Sequence, residues 1–573
     1  MVTILSVWLV NLSRRTRNLW RRLLRRRVAH VRIALSGDLP EFAPAPPWWL
    51  QRITGVQPVV SLSEIRYRLR RIAADPSTRS VVLDIGVVTC GWATLRSFHD
   101  EVRRFRNSGK IAVAVVANPD TKGYLAACAA GVIVAPPTGL LSITGVYTEV
   151  QFLKEALERV GLAVEVTAVS PYKSAGDALA RSDMSPEHRE QLNHLLDLRY
   201  AEMVAMIAAA RGKSEDEVRT LIDAAPLSAA RARDAGLLDA LLYEDELPAY
   251  LDQLTTPPAA IRRAAASPPA VAEWAQARRA LRLPLARPRR SLVGMVLIEG
   301  TIAAGSSRTV PLPLPLIGGQ IAGSDSVIQA VRQAERHPRI AAVVVYVNSP
   351  GGSAFDADRI WREIARLDRR KPVVVAMGDV AASGGYYVAT AARAIVAQPG
   401  ALTGSIGVLI VRPVIAGLLD QAGVHTVAIG RGANSAFFAG SEPNEYERAA
   451  TRQLMNDTYA TFKQRVSAGR KLEIDELESL AGGRVWSGSE AREHGLVDEP
   501  GGVPEALLKA QELAGIPRDR DAPLVLLGGG RSRLQPQPFP ADPSAVVARV
   551  LAELRRPQVW AVLPFSEQSS VVQ

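Results

Sequence analysis

The sequence predicts an α/β protein in which one unit is written twice, and two observations carry that prediction. The first is self-similarity: a shift of 262 aligns Pro76 with Pro338, Val81 with Val343, Gly123 with Gly385, Tyr124 with Tyr386, Gly145 with Gly407 and Gly161 with Gly423. Further on the shift becomes 259, and S-x-x-x-A-R-x-x-G-L-x-D occurs at Ser228–Asp239 and again at Ser487–Asp498. An offset held over such a span marks a tandem duplication. The second is periodicity. Each copy opens with a β-branched apolar run, Val81–Ile85 or Ala342–Val347, and continues through a helical stretch such as Asp356–Leu367. A second buried run follows, Ile111–Val116 or Pro372–Met377. Short apolar runs alternating with helical patterns predict βαβ units, with parallel strands covered on both faces.

The 573 residues exceed one ordinary core, and five segments are expected. Residues 1–55 read as a basic amphipathic N-terminal segment, 56–252 as the first repeat and 253–290 as a Pro/Ala/Arg-rich linker. Residues 291–515 form the second repeat and 516–573 a C-terminal tail with one helix, Ser544–Leu554. Each repeat ends in a helical arm, Ser185–Ala210 and Glu445–Ala468.

The net charge of +12 is local: nine arginines between Arg14 and Arg32 give +9, Arg262–Arg290 gives +7, and the remainder is mildly acidic at −4. Neither basic stretch interleaves aromatics as a base-stacking surface would, so no nucleic-acid partner is expected. At the N-terminus an apolar run, Ile4–Leu12 with Trp8, leads into N-L-W-R-R-L-L-R-R-R, where Leu19, Trp20, Leu23 and Leu24 recur at helical spacing. Arg-rich amphipathic helices with boundary Trp suit an anionic membrane surface. The run is too short to span a bilayer, which needs about 20 apolar residues. A cell-membrane location, anchored or peripheral through this end, is expected, and the positive-inside rule favours cytoplasmic arginines. Two cysteines, Cys90 and Cys128, and no H-E-x-x-H spacing argue against a structural metal, and no cofactor is expected.

The chemistry concentrates in the second repeat. Its first strand runs into N-S-P-G-G-S, Asn348–Ser353, where Gly351 and Gly352 allow a tight turn with N–H groups facing a ligand oxygen. Its second strand runs into G-D-V-A-A-S-G-G-Y-Y, placing Ser383 between a strand end and a helix start. A nucleophile there is exposed by the turn and feels the positive end of the helix dipole. Singly, Ser383 reads as a helix cap and Gly351–Gly352 as a plain turn.

Together, N-S-P-G-G after one strand and A-A-S-G-G after the next resemble the Clp-protease/crotonase fold. A-A-S-G-G-Y-Y followed by L-T-G-S-I-G (Leu402–Gly407) resembles the protease IV (signal peptide peptidase A) family, and P-Y-K-S-A (Pro171–Ala175) is similar to the segment carrying that family's catalytic lysine. The resemblance implies two tandem Clp-protease/crotonase-like domains and a serine endopeptidase with a Ser/Lys dyad. Ser383 would be the nucleophile, Lys173 the base and Ser405 the residue orienting the lysine; Gly351, Gly352 and Gly384 would form the oxyanion hole. It further implies hydrophobic peptide substrates such as cleaved signal peptides, and a homotetrameric ring or dome.

The duplication bears on this independently. Under the 262 shift Ser383 corresponds to Thr121, Gly351–Gly352 to Thr89–Cys90 and Ser405 to Ile143, while Lys173 falls on Ser435, or on Asn434 if one gap is allowed. One copy lacks the nucleophile and the other the base, which predicts one composite site. Two other readings compete: a crotonase-type acyl-CoA lyase or isomerase, which would want a Glu or Asp base beside Gly351 or Gly384, and a catalytically silent membrane scaffold.

Overall fold

The computed structural model describes residues 2–23, 28–43, 59–255, 270–287, 290–310, 319–528 and 558–562. The chain forms two compact units, Met1–Tyr147 with Leu196–Arg290, and Thr148–Leu195 with Ser291–Gln573. The segment Thr148–Leu195, which belongs to the first repeat in sequence, is thus part of the unit built by the second.

The first unit holds a six-stranded sheet in the order Ala240–Leu241, Val132–Ala135, Ile111–Val116, Ser80–Val88, His30–Gly37, Val271–Glu273, every pair parallel. Its β-branched runs have buried residues on both faces, Val81 and Leu83 in one apolar cluster and Val82 and Val113 in another, as a helix-covered parallel sheet requires. Two strands lie in segments expected to be outside the repeats. His30–Gly37, inside the expected N-terminal segment, pairs with Ser80–Val88 in the middle of the sheet. Val271–Glu273, inside the expected linker, adds the strand next to it. Arginines near both strands hid their alternation: Arg32 points to the sheet's polar rim, where it meets Glu244 at 2.7 Å.

The second unit repeats this sheet. Leu292–Glu299, Ile340–Ser349 and Val373–Ala382 pair in parallel, with Ala394–Ala397 beyond them, and Leu524–Leu526 from the expected tail closes the far edge. A second, mixed sheet contains the adjacent strands Gly351–Ser353, Gln558–Val562, Leu409–Val414 and Ala163–Ala168. Gln558–Val562 runs antiparallel to both Gly351–Ser353 and Leu409–Val411. Ala163–Ala168 runs antiparallel to Leu409–Val414 over six residue pairs. The helical arms are Pro186–Arg211 and Glu445–Arg470. The expected helix at Ser544–Leu554 lies outside the described residues.

The duplicated motif has the same structural work in both units. In the first unit Arg211 forks onto Asp239, whose carboxylate also accepts the Ile133 N–H at 2.7 Å; in the second, Arg470 forks onto Asp498, which accepts the Ile395 N–H at 2.7 Å. Buried Tyr124 and Tyr386 donate to the carbonyls of Leu237 and Leu496. The Gly-Leu-x-Asp string therefore ties a helical arm to a strand end in each copy.

The N-terminal apolar and basic stretches form one continuous helix, Val2–Leu23. Asn11, Arg14, Asn18 and Arg21 donate to the backbone carbonyls of Ala286, Pro284, Leu283 and Leu281, pinning one face. At 100° per residue, Trp8, Leu9, Leu12, Leu19 and Trp20 fall on the opposite side, within an arc of about 120°, and all five are exposed. No described helix is long and apolar enough to cross a membrane.

Candidate active site

Three crossings in the second unit build the site. Val373–Ala382 ends at Ser383, whose φ of 55° turns the chain sharply before the helix Gly384–Ala389. A non-glycine residue with positive φ is strained, by about 1–3 kcal/mol, and holds only where its surroundings insist on it. Here they do: the Ser383 N–H donates to Gly404 O at 2.8 Å, and its carbonyl accepts the Tyr387 N–H at 2.7 Å, starting the helix. The next strand, Leu402–Gly404, ends at Ser405, also at positive φ (50°), with its N–H on Arg484 O at 2.6 Å.

The lysine arrives on Thr148–Leu195. Beyond the Ala163–Ala168 ladder, Val169 N–H donates to Val408 O at 3.0 Å, Ser170 Oγ bonds Gly482 O, and the Arg484 guanidinium lies 3.8 Å from the Tyr172 ring centre. Lys173 is thereby fully buried, with Nζ 2.7 Å from Ser383 Oγ and 2.8 Å from both Ser405 O and Ser405 Oγ. Burial pushes its pKa well below the usual lysine range. Among the described residues no carboxylate opposes this: Asp177, the acid nearest in sequence, accepts from Ser185 Oγ at 2.8 Å instead.

These distances limit the proton roles. A neutral amine has two N–H donors and one lone pair; Ser405 O can only accept, so one N–H goes there, which leaves one N–H and the lone pair for the two hydroxyls. With the N–H on Ser405 Oγ, the lone pair faces the Ser383 hydroxyl, the arrangement in which the amine can take its proton. Once protonated, the ammonium would keep all three partners.

Gly351 and Gly352, with φ of 111° and 150°, form a strand beside Ser353, and a Cβ on Gly352 would come within 2.1 Å of Ile302 O. Gly384 opens its helix, where N–H groups have no acceptor within the helix. The structure thus brings Ser383, Lys173 and Ser405 together. In the first unit Thr121 keeps a negative φ, bonds Gly145 O at 3.2 Å, and leaves the capping to Asp120. Of its counterparts of Gly351, Gly352 and Ser405, Thr89 is exposed while Cys90 and Ile143 are buried.

Sequence reasoning missed Gly482, Gly483 and Arg484, which seat the lysine segment. A Cβ on Gly483 would come within 2.7 Å of the Lys173 backbone, so the Gly-Gly pair marks a close backbone approach. Gly483→Ala, at φ 89°, should displace Nζ and lower kcat by up to about 10²-fold with KM little changed. Steady-state kinetics checks this, and an unchanged kcat would show that the approach does not position the lysine.

Comparison with known proteins gives a consistent assignment. Residues 104–256 and 365–517 each match peptidase family S49, one copy per repeat. The chain is 32% identical over 82% of its length to the chloroplastic serine protease SPPA of Arabidopsis thaliana, covering 68% of that protein. It is 28% identical to Protease 4 of Haemophilus influenzae, over 79% of this chain and 73% of that one. Protease 4 of Salmonella typhi is 29% identical, over 79% of this chain and 72% of its own. A serine peptidase needs an activated hydroxyl, and with two family matches set one repeat apart the chain belongs to peptidase family S49, in its tandem SppA/protease IV form, and is a serine-type peptidase.

Proposed function

We propose that the chain is a membrane-associated endopeptidase that cleaves hydrophobic peptides, cleaved signal peptides among them, with Ser383 as nucleophile and Lys173 as base. The observation that carries this reading is the buried, carboxylate-free Lys173 Nζ at 2.7 Å from Ser383 Oγ. Ser383 attacks the scissile carbonyl as its proton passes to Nζ. The developing oxyanion would be received by backbone N–H groups of Gly352 and Gly384, and by that of Gly351 on leaving Ser349 Oγ, to which it donates at 3.2 Å. Lys173 then returns the proton to the leaving amine, and water, deprotonated in turn by Lys173, releases the acyl group. Ser405 holds the amine through both of its oxygens.

An extended peptide suits this geometry. The chain's own Gln558–Val562 lies antiparallel between Gly351–Ser353 and Leu409–Val411, so main-chain groups on both sides of that slot are satisfied by a strand. Incubating a hydrophobic leader peptide with the intact chain and mapping the products by mass tests the reading. Internal cuts support an endopeptidase, and trimming only from one end would overturn it.

The exposed Trp8, Leu9, Leu12, Leu19 and Trp20, flanked by arginines, support in-plane seating of the N-terminal helix on anionic lipid. Removing residues 2–23 should abolish co-sedimentation with anionic vesicles and spare hydrolysis of a soluble peptide. The cut must stop before His30, since His30–Gly37 is a sheet strand. Binding of the full chain should fall with salt, because exposed charges are screened over about 8–10 Å at physiological ionic strength. Equal sedimentation with and without the helix would remove the membrane claim. The intact chains are further proposed to assemble as a homotetramer.

A further inference from the structure

Lys173 Nζ rests on two oxygens of one residue, Ser405, so what fixes Ser405 also fixes the base. Ser405 keeps its φ of 50° through its N–H, which donates to Arg484 O at 2.6 Å. That carbonyl shares a peptide group with the Val485 N–H, and the Val485 N–H donates to Gln191 Oε1 at 3.0 Å. A peptide group is planar, so a bond that sets its N–H also sets the direction of its C=O. Bonds in such a chain polarise and strengthen one another in a buried setting.

Gln191 stands on the second turn of the helical arm Pro186–Arg211 and is buried. Because a backbone N–H can only donate, the amide oxygen is what faces Val485, and the amide nitrogen has no partner among the described residues. Burying a half-paired amide costs stability, so architecture alone would favour an apolar side chain here. The repeats agree. An architectural tie occurs in both, as the Arg211–Asp239 fork returns at a shift of 259 as Arg470–Asp498. Under the same shift Gln191 falls on Ala450, which has no side-chain acceptor, and Val485 on Pro226, which has no N–H. Gly483, against the Lys173 backbone, falls on Ala224. Both ends of the bond are thus missing from the equivalent positions, alongside the nucleophile and the base.

We propose that Gln191 is a positioning residue for the dyad: through the Arg484–Val485 peptide it holds Ser405 where its carbonyl and hydroxyl grip Lys173 Nζ. This rests on the Ser383/Lys173 reading above. Gln191 bonds the backbone at Val485, so its loss should spare peptide binding and act on the chemical step. Without an acceptor the Val485 N–H is left unpaired, the peptide can tilt, and Ser405, strained at positive φ, relaxes. Nζ then loses its aim at Ser383 Oγ, and a misplacement of about 1 Å can cost on the order of 10²-fold in rate.

Hydrolysis of a short soluble peptide by the intact chain, Gln191→Leu and Gln191→Glu tests this, with a serine-reactive fluorophosphonate, labelled to completion, counting the folded sites. Per labelled site, kcat of Gln191→Leu should fall about 10- to 100-fold with KM within about twofold. Gln191→Glu keeps an acceptor on the same stem and should recover the plateau kcat to within about threefold. Its carboxylate favours the ammonium form of the lysine, so the rise of kcat/KM should move to higher pH. A kcat of Gln191→Leu within about twofold of the intact chain overturns the positioning role, and so does a Gln191→Glu as slow as Gln191→Leu at every pH, which would show that only the side chain's shape matters. Should Gln191→Leu not fold, Gln191→Asn, one methylene shorter and out of reach of Val485, carries the same expectation and the same refutation. Ser383→Ala is measured alongside. Full hydrolysis there would overturn the dyad reading itself, whereas an inactive Ser383→Ala beside an unaffected Gln191→Leu overturns the role of Gln191 alone.

Discussion

Ser383→Ala should lower peptide hydrolysis by on the order of 10⁴-fold or more, the size of loss seen when a nucleophile is removed from a preorganised site. The backbone around it is held by Gly404 O and the Tyr387 N–H, neither of which involves the hydroxyl, so thermal stability should move little. Thr121→Ala, at the equivalent position of the first repeat, should stay within about twofold of the unaltered rate: Thr121 bonds Gly145 O in a conventional helix start capped by Asp120. The pair of variants is informative because the two residues occupy the same place in two related sheets. Full activity in Ser383→Ala, or loss in Thr121→Ala, would assign the chemistry to the other half or to another residue.

Lys173→Arg should be nearly as inactive as Lys173→Ala, each down by about 10³-fold or more. Arginine keeps the charge but does not deprotonate in proteins, and its planar fork cannot reproduce one lone pair directed at Ser383 with two N–H groups on Ser405. In the unaltered enzyme, kcat/KM should rise with pH through the lowered lysine pKa and level off once the amine is free. The sign for stability is the same. The folded-state pKa lies below the unfolded one, so between the two only the unfolded chain holds the extra proton, and the fold gains stability as pH climbs through that window. Rates measured from pH 5 to 10 on variants of confirmed assembly check the dyad. Near-normal turnover in Lys173→Arg with a flat profile would place the base elsewhere.

The site was legible because its parts need particular residues. Ser383 and Ser405 sit in glycine-flanked turns at strand ends, and the paired losses at Thr121 and Ser435 pointed to one site fed by both repeats. The seat of the lysine was not legible. Its geometry depends on Ala163–Ala168 pairing with Leu409–Val414, some 245 residues away, and on Gly483 touching the Lys173 backbone, contacts that no local pattern encodes. The strands His30–Gly37 and Val271–Glu273 were hidden for a different reason. Strand periodicity is read against charge, and arginine-rich flanks drew both into segments read as surface.

The strand Gln558–Val562 has a consequence for how the enzyme would meet its substrates. A segment tethered to the sheet that it pairs with is present there at an effective concentration on the order of millimolar, whatever the dilution of the protein. Any peptide entering the same slot must displace it, and so sees an affinity weakened by the fraction of time the slot is filled. Scarce or weakly pairing peptides would thereby be turned away, while abundant or strongly strand-forming ones would get through. A hydrolase with a permissive backbone-reading slot would in this way carry its own threshold, set by the tail's hold on two neighbouring strands and not by the chemistry at Ser383.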